Sequence, residues 1–167
     1  MAERRVPTPS QTVGPFFGFA LPFPGDADAV AGADVDAVRI EGQVLDGAGQ
    51  PVPDSLVEIW QGDQFARSRT DAEGAFHCIV RKPPALPLSD GRLRAPHLNV
   101  TVFARGLLRH LATFVYFPDE AEANQSDPVL ERLEPGARET LIAQREGGIL
   151  RFDIRLQGEG ETAFFAI

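Results

Sequence analysis

The sequence predicts an all-β protein, a two-layer antiparallel β-sandwich with an irregular N-terminal arm and one or two short helices. Three observations carry this expectation. Short apolar–polar alternations recur from Val38 onward, turn residues separate them at strand-length intervals, and no long helical periodicity or internal repeat competes with them. The 167 residues amount to about one domain, and a hydrophobic content of 43% suffices for a core.

Residues 1–37 read as an arm. They carry Pro7, Pro9, Pro15, Pro22 and Pro24 and an acidic stretch from Asp26 to Asp36. Phe16, Phe17, Phe19 and Phe23 fall within this segment, and aromatic surface of that density must pack on something. Residues 38–167 read as the sandwich. Val38, Ile40 and Val44 alternate with Arg39, Glu41 and Gln43, which is the pattern of a half-buried strand. After the Asp46-Gly47 turn come a strand at Leu56–Gln61, a turn at Asp71–Gly74 and a strand at Ala75–Val80. Lys82–Pro87 should be a rigid loop, because its prolines donate nothing to a ladder. His97–Phe103 alternates again, with Leu98, Val100 and Val102 on one side and His97 and Asn99 together on the other. A hairpin through Gly106 leads into Leu111–Phe117. Asp127-Pro128 resembles a helix cap followed by proline at the first helical position, and Pro135–Gln144 a second short helix. Ile149–Leu156 and Thr162–Ala166 are the last expected strands.

Composition narrows the function. Sixteen Lys and Arg against 24 Asp and Glu give a net charge of −8, which disfavours nucleic acid and anionic membrane as partners. A single cysteine, Cys78, rules out an internal disulfide and a thiolate-rich zinc site. The charged start at Met1–Val6 and the interruptions at Pro22 and Pro24 leave neither a signal-type apolar run nor a spanning helix, so a cytoplasmic protein is expected. Phosphate-binding glycine loops and serine elbows are missing. Adjacent side chains on a strand point to opposite faces, so His77 and Cys78 cannot form a dyad. His77, His97 and His110 show no spacing that unites them around a metal. Two residues apart on a strand is how a sheet presents a His-x-His ligand pair, but the second position here is Asn99, a poor donor for a hard ion.

Several ordered segments resemble alpha-type chains of the intradiol ring-cleaving dioxygenases. They are Thr8–Phe17, Val57–Gln61, Ala95–Val100 with Phe103–Gly106, Glu139–Ala143 and Arg151–Thr162, and together they span nearly the whole chain. The resemblance implies a heteromeric enzyme whose alpha and beta chains share one sandwich fold. Only beta holds the Fe(III), through two tyrosinates and two histidines, and the complex cleaves protocatechuate with O2 to 3-carboxy-cis,cis-muconate. By the same resemblance His97 matches the first ligand histidine, Asn99 replaces the second and Leu86 falls near a loop tyrosine. After Gln61 the chain runs directly toward Asp71, where longer members carry an insertion. Two tyrosinates cannot come from a chain whose one tyrosine is Tyr116, expected to be a sandwich residue with a satisfied hydroxyl. The chain is therefore expected to bind no metal, to supply no catalytic residue and to be inactive alone.

What it would supply, on this resemblance, is part of the substrate pocket. Gly14 lets backbone approach a ligand, Pro15 biases Gly14 toward an extended conformation and stiffens the wall, and Phe16 continues it. The guanidinium of Arg105 could pair with a substrate carboxylate. The expected partner is an iron-bearing beta chain. The alternative is a stand-alone sandwich that binds a small aromatic or a protein without catalysis.

Overall fold

The computed structural model describes residues 8–32 and 34–166; Met1–Pro7, Ala33 and Ile167, which include the start of the expected arm, lie outside the described residues. In chain order the elements are α1 (Phe17–Ala20), β1 (Ala37–Leu45), β2 (Leu56–Gln61), β3 (Gln64–Arg69), β4 (Ala75–Arg81), β5 (Leu86–Pro87), β6 (Leu93–Arg94), β7 (His97–Phe103), β8 (Leu111–Tyr116), α2 (Ala121–Gln125), a 3-10 turn at Leu130–Arg132, α3 (Pro135–Glu139), β9 (Gln144–Glu146), β10 (Ile149–Arg151) and β11 (Ile154–Arg155).

Two sheets form the layers. One runs β3-β2-β7-β8 and is antiparallel throughout. The other is built on β1, with β4 on one side and β10, β11 and β9 on the other. The expected sandwich is present, with one refinement: β1 pairs parallel with β10 and with β11, Ile40 opposite Leu150 and Val44 opposite Ile154. Between those contacts the carbonyl of Phe152 passes so close to Gly42 that an added Cβ would sit 1.8 Å from it. Only glycine fits there.

The alternation of the sequence becomes the core. Val57 and Ile59 of β2, Leu98, Val100 and Val102 of β7 and Val115 of β8 face Ile40, Val44, Phe76, Cys78, Val80 and Leu150 across the layers, all of them buried. Each such side chain is worth roughly 1.5–3 kcal/mol in removed apolar surface. A smaller cluster, Ala95, Tyr116, Leu130 and Leu141, lies on the opposite face of the β7–β8 sheet, under the connections that contain α2, the 3-10 turn and α3.

Four sequence expectations are corrected here. Lys82–Pro87 is not wholly loop, because Leu86 and Pro87 pair with Arg94 and Leu93 as the β5–β6 ribbon. The helix expected over Pro135–Gln144 stops at Glu139, and Gln144–Glu146 instead forms the β9 edge against β10. Ile149–Leu156 is split at Phe152-Asp153 into two strands, since the chain must step past Gly42. Thr162–Ala166 makes one bridge, Phe165 to Ala112, rather than a strand. α1, β3 and α2 add to the expected elements. Gly62-Asp63 joins β2 to β3 as a two-residue hairpin closed by the Gln61–Gln64 pair, and Gly62 takes φ +62°, as a tight hairpin turn requires.

The arm is laced onto the sandwich at Asp26–Ala29. The carbonyl of Asp26 accepts the Arg67 N–H of β3, while Ala29 N–H donates to Ile79 of β4 and Ala27 accepts from it. One short segment thus ties both layers together. No helix among the described residues is long and apolar enough to cross a membrane.

Candidate functional site

Strand β7 organises both regions of interest, one at each end. At its C-terminal end the chain leaves Phe103 through the Ala104–Gly106 turn and returns at β8. The arm comes to rest against this hairpin. Ser10 and Val13 from the arm and Phe103, Ala104, Leu107 and Arg109 from the hairpin enclose a cleft of about 330 Å³, and Arg109 Nε donates to Ser10 Oγ at 3.1 Å.

Gly14 follows Val13 directly and adopts φ +88°, with nothing within 4 Å of where a Cβ would be. The expectation that Pro15 would hold Gly14 extended is therefore corrected. The chain turns here into α1, and the left-handed φ explains why glycine suits the position. Pro15 and Phe16 form the turn, and Phe16 packs edge-on against Phe19 with ring centroids 5.3 Å apart. Phe17 alone of the arm's phenylalanines is buried, while Phe16, Phe19 and Phe23 are 66%, 66% and 58% exposed. Arg105 follows Ala104 in the chain but is not among the residues that line the cleft. Its guanidinium pairs with Asp54, and its side chain is 77% exposed. The structure thus brings the neighbours of Gly14 and Arg105 to one cleft and leaves both residues at the surface.

The N-terminal end of β7 is built differently. His97 is buried, and its Nδ1–H donates to the carbonyl of Ala95 at 2.7 Å. Its ring stacks on Tyr116 (centroids 5.4 Å, planes 29° apart) and meets Phe114 edge-on at 5.5 Å. Tyr116 pairs with His97 across β7–β8, so the hydroxyl points away from the interlayer core. There it accepts from Arg94 Nη2 at 2.5 Å and donates to Asp127 Oδ1 at 3.1 Å. Asp127, fully buried, also accepts the backbone N–H groups of Ala95, Val129 and Leu130. The Arg94 guanidinium lies 4.4 Å from the centre of the Phe114 ring, and its Nε has no hydrogen-bond partner among the described residues. The satisfied hydroxyl expected for Tyr116 is present. Its partners Arg94 and Asp127 were not legible, since Asp127 reads locally as a cap and nothing in the spacing links it to Arg94.

Burial pushes the Tyr116 phenol well above its usual range, and the opposing Arg94 bond does not cancel it. Burial likewise pushes the His97 imidazole down, against the Ala95 hydrogen bond and with the help of the Arg94 charge. Asn99, on the same face, commits its Nδ2 to the Trp60 carbonyl at 3.1 Å and to Gln61 Oε1 at 3.0 Å.

This donor set does not fit a ferric ion. It offers one neutral imidazole, one neutral amide and one phenol held protonated, whereas Fe(III) calls for hard anionic oxygen. Among the described residues no group of three His, Cys, Asp or Glu side chains is placed to hold a metal. His77 lies on β4, beside Cys78, whose thiol burial pushes up to about 12. His110 packs instead against Phe103.

No protein-family model matches the chain. It is 42% identical to the protocatechuate 3,4-dioxygenase alpha chain of Pseudomonas putida, over 95% of each chain. It is 30% identical to the protocatechuate 3,4-dioxygenase beta chain of Burkholderia cepacia, over 76% of this chain and 67% of that one. Among solved structures it superposes on the dioxygenase domain of a dioxygenase carbohydrate-binding protein fusion from Streptomyces sp. SirexAA-E. The TM-score is 0.61 and the identity 25%, over 92% of this chain and 99% of that domain.

Proposed function

Because the chain belongs to the family of protocatechuate 3,4-dioxygenase alpha chains, we propose that it is the metal-free subunit of an intradiol dioxygenase and completes the substrate pocket of an iron-bearing beta chain. The observation that carries this reading is the alpha-chain similarity along almost the full length of both proteins. The donor set around His97 supports it, because a chain that offers a single protonated phenol needs another chain to hold the Fe(III).

In this reading the ring-opening chemistry with O2, from protocatechuate to 3-carboxy-cis,cis-muconate, belongs to the partner's centre. This chain contributes shape and charge. Gly14 presents backbone without a side chain in the way, Pro15 stiffens it, and Phe16 extends the wall over a flat ring. Arg105 turns from Asp54 to the substrate carboxylate, a move its exposure permits. The exposed Phe16, Phe19 and Phe23 are covered by the partner, as exposed aromatic surface ought to be. The assembly operates in the cytoplasm.

Oxygen uptake with protocatechuate tests the proposal. The purified chain should show no turnover, and co-expression with an iron-bearing beta chain should give an active complex that contains both. Turnover by the pure chain would overturn the reading, as would a beta chain fully active without it. A soluble monomer that binds the aromatic acid but no partner would favour the stand-alone binding module.

A further inference from the structure

The arm segment Gly14–Phe16 lies between two points of attachment. On its C-terminal side Phe17, 7% exposed, is the buried residue that anchors α1. On its N-terminal side Thr8–Val13 are all exposed, and the open cleft lies between them and the β7–β8 connection. Among the described residues, the bond from Arg109 Nε–H to Ser10 Oγ is the one hydrogen bond that ties Thr8–Pro15 to the rest of the protein. Gly14 lends the segment no support of its own, with φ +88° and no atom within 4 Å of a Cβ position. A stretch of chain with a glycine at its centre samples many directions unless both of its ends are held.

Arg109 is firmly mounted for this task. The connection that carries it is closed at its base by the Phe103 and His110 rings, with centroids 5.6 Å apart, and is turned where Leu107 N–H donates to the Ala104 carbonyl at 3.3 Å. Arg105 stands on the same connection, four residues earlier. One short loop thus carries both the guanidinium assigned to the substrate carboxylate and the donor that holds the arm. We propose that Arg109 is a positioning residue for the heteromer's reaction: through Ser10 it latches the arm to the β7–β8 connection and so sets the Gly14–Phe16 wall at a fixed distance from Arg105. The inference rests on the proposed pocket and adds to it the device that keeps its two parts in register. An exposed side-chain bond adds little to folding, so its loss is felt where the arm must be ordered, at substrate binding. A wall in place in only a fraction of the molecules weakens the apparent affinity by that fraction.

Steady-state oxygen uptake with protocatechuate, by the purified complex with an iron-bearing beta chain, tests it. A beta chain equally active without this chain overturns the pocket and the latch together. Where activity depends on this chain, Ser10→Ala and Arg109→Met should each raise KM about fivefold, with kcat and the melting temperature unchanged. The double variant should raise KM no further than either single one, because all three remove the same bond. Arg109→Gln should keep KM near that of the unaltered complex, since its Nε2 is attached to Cδ as the arginine Nε is and donates without the charge. Effects that multiply in the double variant, a Gln variant that behaves like the Met variant, or an unchanged KM in either single variant overturns the latch and leaves the pocket standing. So does a variant that loses assembly rather than affinity.

Discussion

At the His97 end of β7 the imidazole, the Tyr116 phenol and the Asp127 carboxylate are all engaged by buried neighbours, whereas at the Phe103 end Arg105 holds only a surface ion pair and the nearby arm leaves three phenylalanines in solvent. The His97 end, where the resemblance led us to expect the remnant of a ligand pair, is a polar cluster whose work is structural. The end that carries Arg105 and the aromatic arm is the one left unfinished. Interactions satisfied within the chain report on its folding; those left open report on what it joins.

If that contrast is right, substitutions at the two ends should separate cleanly into effects on stability and effects on activity. The largest effect is expected for Asp127→Ala, which removes the acceptor of three backbone N–H groups and of the Tyr116 hydroxyl. It should cost roughly 3–5 kcal/mol in urea unfolding of the isolated chain. A loss under about 1 kcal/mol would mean that the cluster is not structural. Tyr116→Phe keeps the ring stacked on His97 but leaves the Arg94 Nη2 bond unmade, and should cost about 1–2 kcal/mol in the same measurement. In the reconstituted complex it should leave oxygen uptake unchanged.

Arg105→Ala probes the other end. It should raise KM for protocatechuate about tenfold, equivalent to about 1.4 kcal/mol, with kcat and the unfolding midpoint unmoved. If stability fell and KM did not, the two ends would be alike and the contrast would fail. The smallest effect is on pH dependence. The folded-state pKa of His97 is lowered, so its contribution is present in full above the unfolded value near 6.5 and is lost as pH falls below that value toward the folded pKa. Stability should decline from about pH 6.5 downward, and His97→Gln should flatten part of that slope.

Strands built on alternation were legible. Leu56–Gln61 and His97–Phe103 match β2 and β7 residue for residue because one face is apolar and fully buried. β3 was not, since Gln64–Arg69 carries only Ala66 and Ser68 to the interior and otherwise reads as a polar linker. Nor was the parallel pairing of β1 with β10 and β11, which depends on where distant segments meet and leaves no local mark. Of the candidate site, the shared face of His97 and Asn99 and the satisfied Tyr116 hydroxyl followed from strand phase. The Arg94–Tyr116–Asp127 links did not, because long-range side-chain bonds have no period. The backbone at Gly14 was misjudged for a related reason, as the pull of a following proline was outweighed by a turn into α1.

The lacing of Asp26–Ala29 onto both layers also sets a timetable. The arm leaves the ribosome first, but the strands that anchor it, β3 and β4, are completed some fifty residues later, several seconds at ordinary rates of synthesis. Throughout that interval Phe17, buried in the folded chain, stays in solvent with the arm's other phenylalanines, and the arm is held by no strand.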